Sequence, residues 1–513
     1  MKEQKCKTQI GQKGKRKWIV GCQLVIFLFV LLGFSLIWEQ KNFGGVTLSS
    51  IVFTMIMPLE GTSGSFVISY LLKGLLPAVL VMVLEIAFIW LFRKKWMAKL
   101  LKKTGWKESW FLLTRKKATF FIVGMLVLTF GIANYFLEIS SFIRSQYSVS
   151  TFIEEHYIEP QNTKLVFPEK KRNLIYIFVE SGESSLQDKE NGGVFDTNYI
   201  PEMTQLEKEN ISFSQNEKFT GANVTEGGGW TMGGMVSEGT GLPLKLAIQG
   251  NSMDKFEYFL PGATGLGDIL KEEGYNNYFM CGSDLVFGGR KSYLTQHGYE
   301  DYFDYYSAID EGKIDKDYFE WWGFEDQKLY SYAKEKLTNL AKKDQPFNFT
   351  MLTVDTHHIG GYVCPKCKKE HEEQFGNVWS CASKQVAEFV QWIQQQDFYE
   401  NTTIVICGDH CSMDPDFYAK YNIQMEQRKV FNVFINSAVQ PQKVKNRRFT
   451  TLDFFPSTLA ALGVQIDGEQ LALGVNLFSE KKTLAEQYGY DSLYEELKKK
   501  SKFYNEKLLF PKK

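Results

Sequence analysis

The stretch GGGWTMGGMV, Gly227 to Val236, surrounds one hydroxyl, that of Thr231, with five glycines. Glycine this dense is costly to order, so the backbone there must approach something that a side chain would obstruct. A threonine hydroxyl is a weak nucleophile at neutral pH and needs a base or a metal ion to activate it. Groups of that kind stand elsewhere in the chain, at the ends of apolar runs. NLIYIFVE ends at Glu180, FNFTMLTVD runs into Asp355-Thr356-His357-His358, and TTIVICGD ends at Asp409 and His410. Two carboxylates and an imidazole from neighbouring loops are a ligand set for one divalent cation. Each residue also has a plainer reading. Glu180 and Asp409 could cap helices that follow their strands, and the glycines could form a linker. The conjunction of a metal-competent set with a shaped turn carrying Thr231 favours a catalytic site.

The elements that must position these groups are short β-rich runs separated by helical ones. The strand signals are Asn173–Glu180, Tyr275–Met280, Phe347–Asp355, Thr402–Asp409 and Val430–Ser437, and helices are expected over Ser383–Gln396 and Gln327–Lys343. Continuous apolar strands alternating with helices predict an α/β domain, with a mostly parallel sheet flanked by helices. Ligands of such sheets bind at the carboxyl ends of the strands, where Glu180, His357, Asp409 and His410 fall.

The N-terminal part is of a different kind. Residues 18–38, 74–92 and 118–137 are apolar enough to be transmembrane helices. Met1–Lys17 carries seven Lys/Arg against one Glu, and Arg93–Lys117 ten against one. Basic flanks favour the cytoplasmic side, so three crossings place everything after Glu138 outside the cytoplasm. The expected organisation is a membrane domain over 1–138, a connector over 139–172 and an extracytoplasmic domain over 173–513. Ile51–Leu59, broken by Pro58, is too short to span and reads as interfacial or re-entrant. Glu85 lies within the second span, where an ionisable group is often functional. The formal net charge of zero argues against bulk nucleic-acid binding.

Cys364, Cys367 and Cys381, with His371 in CPKCKKEH, have a spacing that can hold zinc. An extracytoplasmic compartment favours disulfides, and a loop closed by Cys367–Cys381 or Cys364–Cys381 is the simpler expectation. Cys407 ends an apolar strand and reads as a buried hydrophobe. Six histidines are too few for a two-zinc phosphatase centre, which points to one metal ion.

NLIYIFVESGESS, GGGWTMGGMVSEGTGLPL, LTVDTHH and IVICGDHCSMD, in that order, resemble the phosphoglycerol transferase and lipoteichoic acid synthase family, a membrane-anchored branch of the alkaline phosphatase/sulfatase superfamily. The resemblance extends to PLEGT (Pro58–Thr62) and to RRFTTLDFFPSTLAALGV near the C-terminus. It implies transmembrane helices followed by a sulfatase-like domain in a bacterial cell membrane. It also implies Thr231 as nucleophile and metal ligand, with Glu180, Asp409 and His410 as the other ligands. The metal would be one divalent cation, typically manganese, with magnesium or zinc as alternatives. His357 and Arg290, the latter in FGGRKS, would contact substrate. The implied reaction moves phosphoglycerol from phosphatidylglycerol to a glycan or glycerophosphate acceptor through a phosphoglycerol-threonine intermediate, releasing diacylglycerol. Two positions depart from lipoteichoic acid synthases: Gly288 where they carry tryptophan, and Cys281 where they carry histidine. The alternatives are a phosphoethanolamine transferase or phosphodiesterase on the same scaffold, and a catalytically idle binding domain.

Overall fold

The computed structural model describes residues 2–43, 51, 64–92, 115–245 and 259–511. Pro58–Thr62, the expected re-entrant stretch after Ile51, and most of the basic loop before Arg115 lie outside the described residues. The chain divides into two units. The first contains helices α1 (Lys2–Phe43), α2 (Leu76–Phe92) and α3 (Arg115–Leu137). Among the described residues, three segments are long and apolar enough to cross a membrane: Val20–Asn42, Val67–Ala87 and Lys116–Leu137. The second starts earlier than the apolar run at Gly74, because the helix continues through Lys73. One long lysine side chain can reach past an apolar surface without ending the helix.

The second unit is built on a six-stranded sheet. Its strands are β1 (Asn173–Val179), β2 (Asn276–Cys281), β3 (Asp301–Phe303), β4 (Phe347–Leu352), β5 (Thr402–Gly408) and β6 (Asn432–Ile435). Their order is β3-β2-β4-β1-β5-β6, and only β6 runs antiparallel to its neighbour. Alternation along β1 feeds two cores. Ile175, Ile177 and Val179 pack under α4 (Pro201–Glu209), α7 (Asp326–Leu340) and α8 (Gln374–Gln394). Leu174, Tyr176 and Phe178 pack under α5 (Thr231–Thr240) and α9 (Phe454–Ala461). Helix α6 (Arg290–Gln296) follows the β2 loop.

Register aligns the chemistry. Val179 of β1 pairs with Gly408 of β5, and Phe178 pairs with Leu352 of β4. The residues that follow these three strands therefore emerge side by side. The connector expected over 139–172 is partly integral to this unit. Phe152 and Ile153 are buried in its core, and Leu165 pairs with Ile466. Two apolar side chains among charges carry no periodicity that a sequence reading can use.

Candidate active site

The loop after β1 and the loop after β5 meet at close quarters. A Cβ on Gly408 would lie 1.8 Å from the Gly182 carbonyl oxygen, so only glycine permits this approach. Ser181 adopts φ 58°, a left-handed conformation that is costly for a residue with a side chain. In return its amide donates to Asp409 Oδ1 at 2.7 Å, and its hydroxyl donates to Glu180 Oε1 at 2.9 Å. From β4's end, Thr353 Oγ1 accepts the Glu180 amide and Thr356 Oγ1 donates to the Glu180 carbonyl. Neither Glu180 nor Asp409 caps a helix.

Glu180, Asp409 and His410 are all buried, and one ligand atom from each lies within 4.8 Å of the others. Asp409 Oδ1 also accepts the His410 amide at 2.9 Å and faces His410 Nδ1 at 3.0 Å. His410 Nε2 stands 3.9 Å from Glu180 Oε1. Asp409 Oδ2 is buried without a hydrogen-bond partner. An orphaned carboxylate oxygen is expensive in the interior, and a cation would relieve it. Burial, and then Asp409, push the Glu180 carboxyl up. Burial opposes ionisation of Asp409, but the His410 charge and the hydrogen bonds from His410 and Ser181 outweigh it and hold the carboxyl low. Burial lowers His410 in turn, yet Asp409 and Glu180 carry it up to about 9.

Thr231 is the first residue of α5, and its Oγ1 donates to Glu180 Oε2 at 3.2 Å. A Cβ on Gly234 would lie 1.9 Å from the Asp409 carbonyl oxygen, which accounts for one glycine of the turn: α5 abuts the end of β5. The unpaired amides of its first turn make that helix end a place for anions.

His357 is half-buried. Its Nδ1 donates to the His358 carbonyl at 2.7 Å, which leaves Nε2 as an acceptor. Burial pushes it down to about 4, so it is neutral at pH 7. Its ring lies against Trp322, with centroids 4.6 Å apart, and stacks on His358 at 4.4 Å. Trp322 also contacts Phe287 of the arginine-bearing loop. Nothing local in the sequence marks Trp322, whereas His358 is the second residue of the HH doublet that follows β4. Arg290 is buried and donates to Ser283 Oγ, Asp284 O and Phe287 O, while its Nη1 pairs with none of the described residues. Gly288, at φ 66°, packs over Met232 of α5, in a left-handed conformation that a residue with a side chain adopts only with strain. Cys281 donates to Ser283 O, and burial pushes its thiol up to about 11.

The three clustered cysteines stand apart from this set. Cys381, expected to pair with Cys364 or Cys367, lies in one cluster with both, and no two of the three sulfurs are bonded in the structure. Cys364 Sγ lies 3.6 Å from both others, so no pair is singled out. His371 pairs instead with Ser380 Oγ.

The chain belongs to the sulfatase family, whose model matches residues 172–464. It is similar to phosphoglycerol transferase I of Escherichia coli O127:H6, 27% identical over 461 residues that cover 87% of this chain and 55% of that one. It is similar also to phosphoglycerol transferase I of Xanthomonas campestris pv. campestris, 33% identical over 311 residues, 59% of this chain and 42% of that one. The chain thus spans about half the length of the curated relatives it matches. Among solved structures, the lipoteichoic acid synthase LtaP from Listeria monocytogenes superposes with TM-score 0.48 at 17% identity, covering 64% of this chain and 80% of that one.

Proposed function

We propose that this protein transfers phosphoglycerol from phosphatidylglycerol to a hydroxyl of an envelope glycan or glycerophosphate polymer, releasing diacylglycerol. The observation that carries the reading is the hydrogen bond from Thr231 Oγ1 to Glu180 Oε2. It joins a hydroxyl at a helix N-terminus to a buried carboxylate that can take its proton. The relatives named phosphoglycerol transferase I support the choice of the transferred group.

Glu180, Asp409, His410 and Thr231 would hold one divalent cation, and manganese is our assignment. The fit rests on the buried, unpaired Asp409 Oδ2 and on the mixed oxygen–nitrogen donor set. When bound, such an ion lowers the pKa of a ligating hydroxyl and offsets charge on phosphoryl oxygens. The protein's own groups do the rest. Thr231 Oγ1 attacks phosphorus as its proton passes to Glu180 Oε2. The bond from phosphorus to the diacylglycerol oxygen breaks, and that oxygen leaves with a proton from solvent. The first-turn amides of α5 and Arg290 Nη1 bind the phosphoryl oxygens, and neutral His357 Nε2 accepts a hydrogen bond from a glycerol hydroxyl. An acceptor hydroxyl then attacks phosphorus and gives its proton to solvent, while the bond from phosphorus to Oγ1 breaks and Oγ1 takes back the proton held by Glu180, which returns Thr231 and Glu180 to their free forms.

We further propose that the N-terminal basic blocks face the cytoplasm, which puts residues 173–513 outside a bacterial cell membrane crossed three times. The test of function is product analysis. Membranes containing the full chain are given phosphatidylglycerol labelled in its headgroup glycerol, with glucan and glycerophosphate acceptors. Label on an acceptor, with an equal yield of diacylglycerol, is expected. Transfer from phosphatidylethanolamine alone would reassign the donor, and no transfer from either lipid would return the chain to an idle binding domain.

A further inference from the structure

Beyond His358, the loop after β4 reaches a second group of ligand-type side chains. Cys364 and Cys367 lie on one turn, closed by the Cys367 amide donating to the Cys364 carbonyl at 3.0 Å. Cys381 comes from the middle of α8. The three sulfurs all lie within 4.8 Å of one another, with Cys364 3.6 Å from each partner. A tetrahedral ion with thiolates at about 2.3 Å has sulfur–sulfur edges of about 3.8 Å, so the two edges that meet at Cys364 already have the size of those of a tetrahedral face. A disulfide would use two sulfurs and leave the third thiol beside it. Cys364 and Cys381 are buried, and Cys367 is partly so.

The surroundings also suit an ion. Gln385, one turn beyond Cys381 and 4% exposed, directs Nε2 at Cys381 Sγ (3.5 Å) and Cys364 Sγ (3.9 Å), while its Oε1 has no partner. Turned over, that amide presents an oxygen donor to the same point.

We propose that Cys364, Cys367 and Cys381 hold a soft divalent cation of the zinc class, as a structural clip distinct from the ion of the Glu180–Asp409–His410 set. Thiolates select zinc, whereas the carboxylate-rich set accepts harder ions, so one protein can keep two different metals apart by ligand type. Binding displaces the remaining thiol protons. The clip fastens the loop that begins at His357 and His358 to α8, which packs under the sheet, and so fixes the approach of both imidazoles to the site.

Cobalt separates this centre from the other one. The full chain, purified in detergent, reduced and stripped with chelator, is titrated with Co²⁺. Thiolate-to-cobalt charge-transfer bands in the near ultraviolet are expected, since carboxylates and imidazole cannot give them. One equivalent of Zn²⁺ should abolish the bands. They should be lost in Cys364→Ser and Cys381→Ser and kept in Asp409→Asn, and elemental zinc in the protein as purified should fall by one equivalent in the cysteine variants only. Absence of the bands in the folded wild-type chain would overturn the proposal. So would a wild-type mass, taken without reductant, lower by two hydrogens and abolished by Cys381→Ser, since that is the disulfide. The first decisive reading uses the wild-type chain alone, and the mass of Cys381→Ser can be read on unfolded protein, so a variant that fails to fold leaves the test intact.

Discussion

Thr231 Oγ1 lies 3.2 Å from Glu180 Oε2, although 51 residues separate them in the chain. The contact exists because α5 begins where β1 ends, with Gly234 allowing the helix to press on the Asp409 backbone. If Thr231 is the nucleophile, Thr231→Ala loses the attacking oxygen and one metal ligand together. Transfer should then fall by several orders of magnitude, as loss of a covalent nucleophile commonly does. Thr231→Ser should keep measurable transfer in the same assay, since the hydroxyl remains.

Asp409 gives a test that separates metal from fold. Asp409→Asn keeps an oxygen to accept from the Ser181 and His410 amides but removes the charge at Oδ2. Cation affinity, measured by calorimetry on chelator-treated protein, should drop by more than the roughly 10–100-fold typical of an outer-shell partner. Chelation of the wild-type chain should abolish transfer, and added Mn²⁺ should restore it. Transfer that survives complete removal of metal would contradict the ligand assignment.

Glu183 and Arg428 brace the two loops that carry the ligands. The Arg428 guanidinium pairs with the buried Glu183 carboxylate, which also accepts from the Ser412 amide and the Tyr418 hydroxyl. Arg428→Met strands a buried charge and should cost about 3–5 kcal/mol in denaturant unfolding. Combining it with Glu183→Gln should recover part of that loss. If the single and double variants unfold alike, the pair is not the brace.

Much of this site was legible from strand ends alone. β1 and β5 are apolar on both faces because a parallel sheet is covered twice, so their limits, and with them Glu180, Asp409 and His410, stand out. Position 231 was legible because five glycines around a hydroxyl have few structural uses. β3 was not, since Asp301–Phe303 is three residues of mixed polarity. Trp322 was not, because a loop aromatic gains its place against His357 only from the path of the whole chain. The cysteines divide the same way: spacing placed Cys364 and Cys367 together, but the convergence of Cys381 depends on how α8 packs, so pairing and shared ligation were indistinguishable.

The pH dependence of stability should carry one identifiable share from Glu207. Burial pushes this carboxyl up to about 8, against the pull of Ser212, Lys445 and Gln187. Below its unfolded pKa, both states are protonated and the contribution is fully present. As pH rises from about 5 to about 8, the unfolded chain has released a proton that the folded one still holds, so stability falls across that window. Tm measured over this range should decline, and Glu207→Gln should flatten the slope. An unchanged slope in the variant would rule Glu207 out as a source.

Orientation follows from the basic flanks. A reporter that is active only outside the cytoplasm, fused after Asn173, should be active, and its cytoplasmic counterpart should be silent. The reverse pattern would place the site on the wrong side for an envelope acceptor.

The central claim is covalent transfer through Thr231. Full-length protein in detergent, loaded with Mn²⁺, is incubated with phosphatidylglycerol and no acceptor, quenched in acid and mapped by peptide mass spectrometry. The account predicts a phosphoglycerol adduct on the peptide carrying Thr231, in step with diacylglycerol release, with both absent from Thr231→Ala. Diacylglycerol released by Thr231→Ala at the wild-type rate, with no adduct on either protein, would contradict it.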